Sequence, residues 1–157
     1  MNRRFNFPED KFKNRIKKPF KETPIQRKNI RLLEDCARKL NLELNNFKSD
    51  DNLELYFGIS RNGSDICYVY KGWDDPGFRI AELIELDKRT PDFKERFYEI
   101  FRICSIRLIT MGLQKQGKES LSIVLEIGIY KSGFNAKVFK EAIEELEGAL
   151  VKIAPLL

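Results

Sequence analysis

Leu53, Leu55, Phe57 and Ile59 alternate with Glu54, Tyr56, Gly58 and Ser60. A period of two puts one set on each face of a strand. Arg61-Asn62-Gly63-Ser64 follows, and Asn-Gly tolerates the positive φ of a tight type I′ turn. The return stretch, about Asp65 to Lys71, carries the β formers Ile66, Tyr68, Val69 and Tyr70. A chain with this hairpin must extend it into a sheet and cover its apolar face.

The segments around it supply the rest. Trp73-Asp74-Asp75-Pro76-Gly77 reads as a turn. Phe78, Ile80, Ile84 and Leu86 then alternate, with Glu82 interrupting the apolar side. A third strand fits this run, and a short helix fits it nearly as well. Leu121, Ile123, Leu125, Ile127 and Ile129 mark the strongest strand, over residues 121–130. Residues 107–113 suit either a helix continuing to Gly112 or a strand, and Gln114 to Glu119 reads as a turn.

Three helices complete the pattern. Thr23-Pro24-Ile25-Gln26 is a capping box with proline at the first helical position, followed by Ile30, Leu33, Ala37 and Leu40 on one stripe. Thr90-Pro91 repeats the cap-and-proline device ahead of Phe93, Phe97, Ile100, Phe101 and Cys104. Asn135 caps a last helix with Phe139, Ala142, Ile143, Leu146 and Leu150 facing inward, stopped by Pro155. The fold expected is α+β: an antiparallel sheet of four to five strands with helices on one face or at its ends, in the order α-β-β-β-α-β-β-α. Its 157 residues suit one such domain.

Charge divides the chain. Residues 1–31 hold eleven Lys and Arg against three acidic residues, while residues 32–157 hold 18 basic and 21 acidic, so +8 and −3 make up the total of +5. The expected organisation is a basic arm over residues 1–22 and a body over 23–157. Phe5, Phe7, Phe12 and Phe20 stand in the arm among cations that include Arg15, Lys17 and Lys18. An inert disordered tail is poor in aromatic residues. Phenylalanine anchors suit docking on protein, whereas cations with stacking rings also suit nucleic acid through residues 1–31, or an anionic membrane surface. No stretch reaches the apolar length of a membrane span or of a signal peptide, so a cytoplasmic protein is expected.

Histidine is absent, which removes Ser-His, Cys-His and His-metal chemistry. Cys36, Cys67 and Cys104 are isolated from one another within separate elements and read as reduced core residues. Asp50-Asp51 and Asp74-Asp75 read as turn residues, and Glu141, Glu144, Glu145 and Glu147 as a solvated helix face. With no phosphate loop, dinucleotide fingerprint or nucleophile elbow, no catalytic residue, metal ligand or cofactor is expected, and the protein reads as a non-enzyme. Tyr56, Tyr68, Tyr70 and Trp73 concentrate on the hairpin and the turn after it. Aromatic residues on an open sheet face are typical of interface cores, and in a closed one they serve as cross-strand pairs. Tyr56 lies opposite the Leu55 face. The register decides whether Tyr68 and Tyr70 join it.

With a strand at Arg107 to Gln114, the element order resembles the type III secretion chaperone-like fold, which includes the YbjN family. Leu121 to Leu157, a strand, a short break and a helix ending in Pro155-Leu156-Leu157, is the most similar stretch. The resemblance implies a module that dimerises and binds a protein segment on its helices or sheet. Its acidic members match residues 32–157, and the +8 arm departs from them. The expected function is a non-enzymatic protein-binding module, chaperone-like or an adaptor, as a homodimer or a subunit of a larger assembly. It would use the arm and the four hairpin aromatics. The alternative is a nucleic-acid or ribonucleoprotein component whose arm contacts phosphates.

Overall fold

A computed structural model describes residues 22–46 and 52–157. Helix α1 runs Pro24–Lys39 behind the expected capping box: Gln26 N–H donates to Thr23 Oγ1 at 3.1 Å, and Thr23 N–H to Gln26 Oε1 at 3.2 Å. Six strands follow: β1 Glu43–Asn46, β2 Leu53–Arg61, β3 Ser64–Gly72, β4 Gly77–Asp87, β5 Thr110–Gln116 and β6 Ser120–Tyr130. Helix α2 spans Phe93–Ile106 and α3 spans Ala136–Ile153, the latter capped by Asn135 Oδ1, which accepts from Val138 N–H at 3.0 Å. All pairings are antiparallel, in the order β1-β2-β3-β4-β6-β5.

The α+β class with an antiparallel sheet stands, but the described residues form six strands rather than four or five, and the order gains a β at residues 43–46. That strand, Glu-Leu-Asn-Asn, overlaps the start of the polar break expected from Asn45. It is an edge strand, so it needs little apolar alternation, and Glu43 lies opposite Ser60 in its pairing with β2. The hairpin turn is as expected, with φ of 52° at Asn62 and 74° at Gly63. Residues 78–86 are strand, not helix.

Two boundaries need correction. Thr90 does not cap α2: its hydroxyl donates to the Asp87 carbonyl at 3.0 Å and closes the turn leaving β4, so the helix begins after Asp92. The expected turn at 114–119 is shorter, because β5 extends to Gln116 past an irregularity between Leu113 and Lys115.

Helix α1 packs on β1 and β2, α2 on β4 and β5, and α3 on β4 and β6. Leu55, Phe57, Ile59, Val69, Ile80 and Ile123 meet them within one apolar core. Within it, Phe134 lies between Phe78 and Phe139, with tilted rings whose centroids are 4.3 and 5.3 Å away. All described helices therefore lie on one face of the sheet.

Helix α2 ends in a Schellman motif: Ile109 N–H donates to Cys104 O at 2.9 Å and Leu108 N–H to Ser105 O at 3.3 Å. Such a cap wants glycine, yet Leu108 holds φ of 57° and is 87% exposed. A left-handed conformation costs a β-carbon residue about 1–2 kcal/mol, partly offset in a glycine by the extra freedom of its unfolded chain. Leu108→Gly should therefore raise stability by about 0.5–1 kcal/mol in urea unfolding. A loss of stability would show that the leucine packs on something.

Candidate protein-binding surface

Alternation decides which strand residues face away from the helices. Tyr56 lies opposite Tyr70 across β2 and β3, and Tyr68 opposite Ala81 across β3 and β4. The register thus places Tyr56, Tyr68 and Tyr70 on one surface, with the Tyr56 and Tyr68 rings 5.9 Å apart. Trp73 follows the last residue of β3, at the rim. Ala81 and Leu83 form the floor, 2% and 5% exposed, and belong to no part of the helix-packed core. Phe5, Phe7, Phe12, Phe20, Arg15, Lys17 and Lys18 lie outside the described residues, as do Asp50 and Asp51.

A chain of polar contacts crosses the same surface. The Tyr70 hydroxyl donates to Glu126, the Arg79 guanidinium donates to Glu126 at 2.7 Å and to Asp75 at 3.1 Å, and Gly72 N–H donates to Asp75 at 2.9 Å. Burial, then the hydrogen bond to Glu126 and its charge, push the Tyr70 phenol above its ordinary value. Burial alone would raise Asp75, but the Gly72 N–H and the Arg79 guanidinium together hold it below the usual carboxylate range. The turn expected at 73–77 is thus a hub, with Asp75 tying β3 to Arg79 on β4.

Tyr130, Arg79 and Glu126 belong to this surface and were not picked out from the sequence. The signal for Tyr130 was present: Ile129 points into the core, so its neighbour points away, and it is 71% exposed opposite Gly77. Arg79 and Glu126 carried none, since only the β4–β6 register brings them together.

On the helix side, a groove of about 700 Å³ opens between α2 and α3, with Ile106 and Leu108 exposed at its lip. Two ion pairs line it together with Lys152: Arg102 bonds Glu99 at 2.5 Å, and Arg107 bonds Glu145 at 2.8 Å. The solvated face expected on α3 is in part cross-linked, since Arg61 also reaches Glu147 at 3.1 Å. The three cysteines are buried and free. Burial raises each thiol, Cys104 to about 11, with Glu82 adding to the rise at Cys67. All are protonated at neutral pH. Among the described residues no His, Cys, Asp or Glu group is arranged to hold a metal ion, and no helix is long and apolar enough to cross a membrane.

No family model and no curated protein sequence matches the chain. Among solved structures, an uncharacterized protein from Methanothermobacter thermautotrophicus is similar, with a TM-score of 0.62 and 11% identity over 80% of this chain and 94% of that one. At that identity the likeness is one of fold.

Proposed function

We propose that the protein is a non-enzymatic binding module, chaperone-like or an adaptor, that takes a segment of a protein partner on the sheet face opposite its helices. One observation carries this reading: the register gathers Tyr56, Tyr68 and Tyr70 on a face that no described helix covers. Tyrosine supplies large contact area at low entropy cost together with a hydroxyl for hydrogen bonding, which is why it is enriched at binding hot spots. The polar chain through Glu126, Arg79 and Asp75 holds this surface rigid and spares a partner the cost of ordering it. The basic residues and phenylalanines near the N terminus would add a second set of contacts. The secretion-chaperone resemblance is consistent with assembly as a homodimer or a subunit of a larger complex.

The competing reading is phosphate binding through residues 1–31, and salt separates the two. The full chain should select peptides from a displayed library with affinities that change less than about threefold between ~50 and ~200 mM salt. Tyr68→Ala should weaken them about tenfold, or ~1.4 kcal/mol. Preferential binding of single-stranded oligonucleotides, falling by about 10³ over that salt range, would overturn the proposal.

A further inference from the structure

We infer that β5 is a docking edge for a second copy of this chain: two β5 strands pair antiparallel across a two-fold axis, and the α2 helices beside them meet in the same contact. The inference does not rest on the tyrosine face, which lies on the other side of the sheet from the helices.

The two edges of the described sheet are built differently. β1, at one end of the strand order, is four residues long and consists of Glu43, Leu44 and two asparagines. A short polar edge with a charge is a common guard against pairing. β5, at the other end, is the seven-residue run Thr-Met-Gly-Leu-Gln-Lys-Gln, with one charge and no proline. Among the described residues it pairs with β6 alone. Along its other side every second residue therefore presents an N–H and a C=O to solvent. The irregularity between Leu113 and Lys115 leaves Thr110 to Leu113 regular, and Leu113 is 66% exposed.

The helix layer is open on the same side. Helix α3 touches both α1 and α2, while α2 packs on β4 and β5, so α2 is the outer helix above β5. Ile103 and Ile106 line the groove toward α3. At about 100° per residue, Phe101 falls roughly 150° round the helix from them, on the outer flank. It is 54% exposed, and Tyr98, one turn earlier, is 70% exposed.

This pairing of a bare edge with a bare helix flank selects a second copy over a peptide. A peptide strand would satisfy the edge and leave Phe101 and Tyr98 in water. A two-fold axis normal to the sheet keeps the helices of both copies on one side and brings the two α2 flanks together. The strand is also self-complementary. With Gly112 on the axis, Met111 faces Leu113 twice, Thr110 faces Gln114, and the two Lys115 side chains stand six residues, about 20 Å, apart. Centring on Leu113 would set Met111 against Lys115, and centring on Met111 would set Lys115 against Arg107, a like-charge pair that destabilises.

Sedimentation equilibrium of the full chain between about 1 and 200 μM tests this. One strand and one helix flank make a smaller contact than the ~800 Å² a side of a standard interface, so a micromolar Kd is expected. Leu113→Lys and Phe101→Asp should each raise that Kd at least tenfold without changing the melting temperature, since both side chains are more than half exposed. Gly112→Cys reads the register. The native cysteines are buried, and a Cβ at Gly112 meets nothing within 4 Å. Opposed residues of an antiparallel pair have Cα atoms about 4.5–5.5 Å apart, within disulfide range. Mild oxidation should therefore convert most of this variant to a covalent dimer, while Glu43→Cys on β1 stays monomeric. A monomer at ~200 μM overturns the inference, and library peptides shifting β5 amides of that monomer would assign the edge to a foreign strand. A dimer that neither Leu113→Lys nor Phe101→Asp weakens, or that cross-links through Glu43→Cys instead of Gly112→Cys, overturns it as well.

Discussion

Lys71→Met should cost about 3–5 kcal/mol of folding stability, more than any surface ion pair can account for. Lys71 and Glu54 are 5% and 2% exposed, and the ammonium donates to the Glu54 carboxylate and to the Gly72 carbonyl at 3.0 Å. The other Glu54 oxygen accepts from Asn29 on α1, and the Glu54 backbone carbonyl accepts from Gln26. One buried carboxylate thus joins a helix to two strands. Removing its cation leaves a charge with no water to solvate it, and that desolvation, not the lost Coulomb attraction, sets the size of the effect. The double variant Glu54→Gln, Lys71→Met should recover most of the loss, since the amide oxygen still accepts from Asn29 without a charge. Urea unfolding of the full chain measures both. A single-variant loss under about 1 kcal/mol would mean that water reaches the pair.

Gly77→Ala should be comparably severe, by a different route. A Cβ at Gly77 would lie 1.9 Å from the Ile129 carbonyl oxygen and 2.7 Å from the Tyr130 Cα, both backbone atoms of the neighbouring strand. No rotamer relieves a clash with backbone. β4 and β6 must part where they form the longest pairing in the sheet, from Gly77–Tyr130 to Asp87–Ser120. The expected loss is about 3 kcal/mol or more, and Trp73 and Asp75 shift with the turn. Gly128 is the control: it lies on β6 opposite Arg79, with nothing within 4 Å of its built Cβ. Gly128→Ala should change stability by less than about 0.5 kcal/mol. Equal effects at the two glycines would contradict the register on which the tyrosine face depends.

The same register explains what could be read from the sequence. Alternation at Leu53 to Ile59 and Leu121 to Ile129, caps at Thr23 and Asn135, and Asn62-Gly63 are local signals, and each element they mark is present. The elements misjudged are those where tertiary partners decide. Strand β1 pairs only along one edge and shows no apolar alternation. Thr90 has a carbonyl partner at Asp87 that competes with its role as a cap. Leu108 takes a conformation for which its own residue type argues against a helix end. The site divides the same way. Tyr56, Tyr68 and Tyr70 were legible as aromatics on the hairpin, but their common face needed the β2–β3 register. Glu54 and Lys71 read as ordinary strand polar residues, and only three-dimensional packing reveals them as a buried pair.

Mapping where a bound peptide perturbs the ¹⁵N-labelled full chain tests the central claim most directly. With a peptide chosen by the library selection, the tyrosine-face account predicts shifts at Tyr56, Tyr68, Tyr70, Glu126 and Gly128. Shifts confined to Ile106, Leu108, Glu145, Lys152 and Leu156, which line the groove between α2 and α3, would contradict it and move the binding site to the helix layer.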